Sequence, residues 1–96
     1  MPILQLTKYK SGLTDEEVAR LMNERAPRFR EIAGLLQKYY FKDEATGEFG
    51  AVYVWESEAA MLEFRRTDLA QGMNAAYKIE GEKHVEVLAV KLVLRD

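Results

Sequence analysis

Apolar and polar positions change their period several times along the chain, and each change marks an element. Pro2 to Lys10 alternates in part, with Leu4 and Leu6 on one side and Gln5, Thr7 and Tyr9 on the other. This predicts a first strand whose second face is polar without being simply wet. Ser11 and Gly12 break it. Val18, Leu21, Met22, Phe29, Ile32 and Ala33 then recur at three and four residue intervals, leaving Glu16, Arg20, Glu24, Arg28 and Glu31 for solvent, the pattern of an amphipathic helix. Thr14-Asp15-Glu16-Glu17 reads as a capping box: Thr14 accepts from the Glu17 amide and the acids oppose the helix dipole, so the helix starts at Asp15. Pro27 removes one backbone bond within it, at a cost of ~3 kcal/mol, so the helix is either kinked there or made of two pieces. Gly34 closes it as a left-handed residue.

Leu35 to Lys42 and Phe49 to Trp55 are rich in Tyr, Phe, Val and Trp, and the turn residues Asp43 to Glu48 separate them, which predicts a hairpin. On its second strand Ala51, Tyr53 and Trp55 share one face and Val52 and Val54 the other, whatever the turn. On the first strand, one residue more or less in the loop decides whether Tyr39, or Lys38 with Tyr40, joins the aromatic side. A three-residue loop ending in Gly47 selects Tyr39. Ser57 is a good N-cap for a second helix from about Glu58 to Arg66, which buries Ala60, Met61 and Phe64. Thr67 to Gly81 reads as one or two short helical turns, and His84 to Arg95, with VEVLAVKLVL at its centre, as the last strand.

The order strand, helix, strand, strand, helix, strand predicts an α+β, ferredoxin-like βαββαβ fold with a four-stranded antiparallel sheet, formed by one domain over residues 1–96. Helices on one face leave the other open. Tyr9, Tyr39, Phe41, Tyr53 and Trp55 are expected on that open face, opposite valines packed on the helices. With a last strand apolar on both sides, such a face predicts a homodimer closed through the sheets. Burial of each large side chain there is worth ~1.5 to 3 kcal/mol.

Composition narrows the function classes. The 96 residues include no cysteine, which excludes a disulfide framework, a thiolate metal site and a Cys nucleophile, and suits a reducing cytosol. Fourteen basic against sixteen acidic residues, without a basic run, argue against nucleic acid as a partner. The apolar run in MPILQLTKYK is too short for a signal peptide, and no stretch approaches the roughly 18 apolar residues of a membrane span, so a soluble, cytoplasmic protein is expected. No Walker loop, dinucleotide fingerprint, His-rich metal spacing or Ser/His/Asp order is present.

The run from Gly34 to Met61, GLLQKYYFKDEATGEFGAVYVWESEAAM, resembles the YdhR-type mono-oxygenases, a branch of the dimeric α/β-barrel superfamily that includes the antibiotic-biosynthesis mono-oxygenases. The turn Asp43-Glu44-Ala45-Thr46-Gly47-Glu48 is its best local marker, and the element order extends the resemblance to the whole chain. The resemblance implies two ferredoxin-like subunits with opposed sheets, each keeping a pocket between its sheet and its helices or the partner. It also implies a mono-oxygenase that uses no cofactor and acts on an aromatic or polycyclic phenolic molecule. Cofactor-independent members place a Trp on the third strand, where Trp55 stands. Haem-degrading relatives place a His on the second helix, and Glu58 to Arg66 contains none.

Tyr39, Tyr53 and Trp55 are candidates to line an aromatic pocket, with Gln5, Thr7 and Tyr9 as polar complements, and packing at a dimer interface as the plainer role of the rings. His84 has the only side chain whose unperturbed pKa lies near neutrality, which makes it, with Tyr53, a candidate catalytic group; beside Glu82, Lys83 and Glu86 it is more ordinarily just exposed. Lys38 could stabilise a developing phenolate, or pair with an acid across the hairpin. Asn74 and Tyr77 could close the pocket. The alternative to an enzyme is a non-catalytic dimer that binds an apolar metabolite or acts as a stress-related accessory protein, which needs the aromatic cavity and no reactive group.

Overall fold

The computed structural model describes residues 1–95. Its elements are β1 (Ile3–Ser11), α1 (Asp15–Arg30), β2 (Leu35–Lys42), β3 (Phe49–Trp55), α2 (Glu58–Arg65), α3 (Asp68–Gln71), α4 (Met73–Ala76) and β4 (Ile79–Ala89). The strands form one antiparallel sheet in the order β2-β3-β1-β4, the ferredoxin-like βαββαβ arrangement. Local chemistry sets the element starts. Thr14 Oγ1 accepts from the Glu17 amide at 3.2 Å while Glu17 Oε1 accepts from the Thr14 amide at 3.0 Å, the complete capping box, and Ser57 and Thr67 cap α2 and α3. α1 runs through Pro27 as one helix and ends at Arg30. Gly34 lies beyond that end with φ +87, where a Cβ would sit 2.6 Å from the Ala60 Cβ, so this glycine allows both the left-handed turn and the close approach of α2.

Which face of the sheet meets the helices is the reverse of the expectation. Tyr53, Trp55 and Ala51 form a core with Phe29 of α1, Met61 and Phe64 of α2 and Leu69 of α3, while Tyr9 and Phe49 pack with Val18 and Tyr77. Leu4 pairs with Val54 and Leu6 with Val52, so these aliphatic side chains lie on the open face, and Val52 and Val54 are not packed on helices. Four rings in contact across the layer fill its thickness: Tyr53 stacks on Trp55 at 5.8 Å and 7°, and Trp55 and Phe29 each meet Phe64, at 5.3 and 5.6 Å. Valines at those positions would leave that space empty.

The hairpin register departs from expectation for an identifiable reason. The Asp43 amide donates to Glu48 O and the Gly47 amide to Asp43 O, both at 2.7 Å, which makes the loop one residue longer than three. Asp43 Oδ1 accepts from the Ala45 amide at 3.0 Å and so holds the longer turn. Lys38 therefore pairs with Tyr53 and Tyr40 with Ala51, whereas Tyr39 pairs with Val52 on the open face, where it is 60% exposed.

β4 starts at Ile79, five residues before His84, and ends at Ala89, short of Arg95. Gly81, with φ +71, falls where the pairing of β4 with β1 shifts between Lys8 and Lys10, so a residue that reads as a breaker is absorbed as an irregularity inside the strand. Beyond Ala89 the chain keeps one backbone bond to the sheet, from the Val90 amide to Pro2 O. No described helix is long and apolar enough to cross a membrane.

Candidate functional site

Between the inner face of the sheet and the helices lies a cavity of about 460 Å³. The side chains of β1, β2 and β3 that form its floor are set by strand parity. Gln5, Thr7 and Tyr9 alternate inward from β1, Lys38 and Tyr40 from β2, and Ala51 and Tyr53 from β3. Phe29, Phe64 and Leu69 roof it, and Met73, Asn74 and Tyr77 close its far side.

Inside, polar groups outnumber their partners. Trp55 is fully buried behind the floor, and its indole N–H donates to Gln5 Oε1 at 3.0 Å. Gln5 in turn donates from Nε2 to Thr7 Oγ1 at 3.2 Å, which fixes both polar side chains of the first strand. The Tyr40 hydroxyl is buried without a partner, as is Arg25 Nε, although the Arg25 guanidinium donates to Leu69 O at 2.7 Å and lies 5.7 Å from the centre of the Tyr77 ring. Burial pushes up the pKa of Tyr9, Tyr53 and Tyr77, and that of Tyr40 to about 12; the like charges of neighbouring phenolates add to the effect at Tyr9, Tyr40 and Tyr53. All four phenols stay protonated near neutral pH and are donors.

Lys38 is the exceptional group. Its Nζ lies 3.3 Å from the centre of the Phe29 ring, 4.3 Å from that of Tyr40 and 4.5 Å from that of Tyr53, with no ion pair among the described residues. Burial, helped by the charge of Arg25, brings its pKa down to about 7, so the amine and the ammonium are both accessible at physiological pH. The acid across the hairpin expected for Lys38 is not there. The pairings form elsewhere, from Lys8 to Asp43 and from Lys42 to Asp15, both at 2.6 Å.

Of the residues picked out from the sequence, Thr7, Tyr9 and Tyr53 line the cavity, as do Gln5, Asn74 and Tyr77. Tyr39 points to the open face, and Trp55 stacks beside Tyr53 at the end of the floor, in the core role against α2. His84 pairs across with Lys8 on the open face, with Nε2 2.8 Å from Glu86 Oε2 and no part in the cavity lining. Tyr40 enters with Lys38 through the alternative hairpin register, and Phe29 and Arg25 join the site from outside the sequence-based candidates. Arg25 carried a readable signal, since it falls within the stripe Val18, Leu21, Met22, Phe29 and so places a cation on the apolar side of α1.

Solved structures share this architecture. Rv0793 from Mycobacterium tuberculosis superposes with a TM-score of 0.78 at 15% identity, covering 99% of this chain and 100% of that one. SnoaB from Streptomyces nogalater, described as a cofactor-independent oxygenase, gives 0.78 at 9% identity over 99% and 98% of the two chains. A dimeric ferredoxin-like protein of unknown function from Thermobifida fusca gives 0.75 at 12% identity over 94% and 92%. At these identities the likeness establishes the fold. Comparison with curated proteins gave no match. The family described as "Putative mono-oxygenase ydhR" matches residues 3–90, nearly the whole chain, and the protein belongs to it.

Proposed function

We propose that the protein is a cofactor-independent mono-oxygenase that oxidises an aromatic, phenol-bearing molecule in the cavity between sheet and helices, and that it works as a homodimer closed over the open sheet face. The observation that carries this reading is Lys38, an amine that titrates near neutrality among three aromatic rings at the floor of the cavity. Family membership and the shared fold with SnoaB, itself described as a cofactor-independent oxygenase, support it.

A substrate of this kind supplies its own electrons. Neutral Lys38 takes a proton from an activated CH₂ of the ring system; a C–H bond breaks and an N–H bond forms. The resulting enolate is stabilised by the Lys38 ammonium and by donation from Tyr53 and Tyr40, phenols held protonated by burial. The electron-rich carbon reduces dioxygen and joins it as a peroxide anion, which takes the proton back from the Lys38 ammonium to become a hydroperoxide and leaves the amine neutral. Loss of water leaves a carbonyl, so that CH₂ and O₂ become C=O and H₂O. The aromatic floor and roof exclude water and align the planar substrate.

Oxygen uptake tests this directly. Purified protein given a panel of anthrones and hydroquinones should consume O₂ only with substrate present. With an anthrone it should form one quinone per O₂, with a rate unchanged by chelation and at least about 100-fold lower in Lys38→Met. Stoichiometric flavin or haem in the purified protein, or no uptake across the panel, would overturn the reading.

A further inference from the structure

Charge is distributed around the cavity in a way that the protein as a whole does not suggest. The chain carries more acidic than basic residues, with a formal charge of -2. Four basic side chains nevertheless line the cavity, one from each of four elements: Arg25 from α1, Lys38 from β2, Arg65 from α2 and Lys83 from β4. No lining residue is acidic. Nor do these four pair with acids elsewhere: the described ion pairs use Lys8, Arg20, Lys42, Arg66 and His84 instead. Other cations also lack an acid, among them Lys10, Arg28 and Lys78, but those around the cavity converge on one space that holds no carboxylate.

Such an arrangement is costly without a counter-charge. A basic group near the interior is ordinarily paired or neutralised, because its hydration is lost and nothing replaces it. Burial and then the charge of Arg25 disfavour the charge of Lys38, and Lys83 is also discouraged from ionising by burial. Arg25 keeps one buried N–H donor, at Nε, without a partner. An anion entering between these groups would relieve the repulsion, supply the missing acceptor and stay attached through an aromatic body to Phe29, Tyr53 and Phe64. A neutral ligand of the same shape would do only the last of these.

We propose that the cavity selects a planar aromatic molecule bearing an anionic group, a phenolate, carboxylate or sulfonate, received by Arg25 and by the ammonium form of Lys38, whose amine form remains the base, while Lys83 and Arg65 draw it in. This rests on the cavity being the substrate site and narrows the substrate to the acidic members of the aromatic class. Burial inside an aromatic wall makes each charged contact stronger than it would be in water, which is the source of the discrimination.

Two dyes that share a skeleton separate the charge from the shape: 8-anilinonaphthalene-1-sulfonate and its neutral counterpart N-phenyl-1-naphthylamine. Fluorescence titration of the native protein at pH 6.5 should give at least about 10-fold tighter binding of the sulfonate. Lys38→Met, which keeps an unbranched apolar side chain one atom shorter, and Arg25→Gln should each remove most of that preference and leave the affinity for the neutral dye within about twofold. Glu63→Gln, which changes a charge outside the cavity, should leave the preference intact. Equal affinity of the native protein for the two dyes, or a preference that survives both cavity variants, overturns the anionic assignment while leaving an aromatic cavity in place. Failure of both dyes to bind overturns it together with the cavity as a substrate site.

Discussion

The two faces of the sheet depart from the usual arrangement in opposite senses. The face covered by helices mixes the apolar Ile3, Phe49, Ala51 and Trp55 with the polar or phenolic Gln5, Thr7, Tyr9, Lys38, Tyr40 and Tyr53, whereas the open face carries Leu4, Leu6, Val52, Val54, Tyr39 and Leu88 beside the polar Lys8, His84 and Glu86. An ordinary two-layer domain keeps aliphatic side chains under the helices and polar ones in water. The difference teaches that the covered layer here is built around a cavity and held by aromatic area and internal hydrogen bonds, while aliphatic side chains stay on the face that the helices leave open. On β4 the exposure extends to both sides, since Val85 and Val87 on the covered face and Leu88 on the open face are all nearly half-exposed.

The largest effect should come from breaking the aliphatic face. Val52→Asp puts a charge at the centre of the sheet where a second copy would pack, and sedimentation should show the homodimer replaced by a monomer at micromolar concentration, with the helix content of the native protein retained. A native chain already monomeric under those conditions would refute the proposed dimer.

On the covered face the heaviest single loss should be Trp55→Ala. Removal of a fully buried indole leaves a cavity and strands the Gln5 acceptor, for about 3 to 5 kcal/mol in urea unfolding. Trp55→Phe restores much of the volume but none of the hydrogen bond and should cost about 1 to 3 kcal/mol. Quenching of Trp55 fluorescence by bound ligand should reflect proximity through Tyr53 rather than direct contact.

Lys38→Met should move stability the other way. The folded protein holds the Lys38 pKa at about 7, well below the 10.5 ordinary for a lysine, so between those values the unfolded chain binds more protons. Native stability therefore rises with pH across that window, and the penalty for charging Lys38 is complete below about pH 7. The variant should be more stable than the native protein at pH 6, by on the order of 2 kcal/mol after allowance for partial solvent access, with the advantage fading toward pH 10. Activity should fall in the same variant, a trade that a purely structural lysine would not show.

Tyr53→Phe sharpens the comparison further, because it leaves the ring stack and removes only the donor. Turnover should drop by roughly 10 to 100-fold with stability changed by less than about 1 kcal/mol. The smallest effect belongs to the open face again. His84→Ala breaks an exposed contact with Glu86 and should alter stability by less than about 0.5 kcal/mol, and turnover less than twofold. A pH profile that lost its main ionisation in this variant would transfer the role of base from Lys38 to His84.

What the sequence determined by itself was local. Caps at Thr14 and Ser57, the β-branched and aromatic runs, and the Gly34 turn each act within a few residues, so the element order and most element boundaries could be read without the third dimension. Alternation along β3 also separated the aromatic from the aliphatic set. Alternation is symmetric, however: it says which residues share a face and not which face the helices cover. That choice was made by volume, because only rings span the gap to Phe29, Phe64 and Leu69. The hairpin added the second decision. One more residue in the Asp43–Glu48 turn rotated all of β2, sending Tyr39 outward and bringing Lys38 and Tyr40 in. The same residue one register over would have lain opposite Val54 on the open face; its position among three rings exists only in the folded chain.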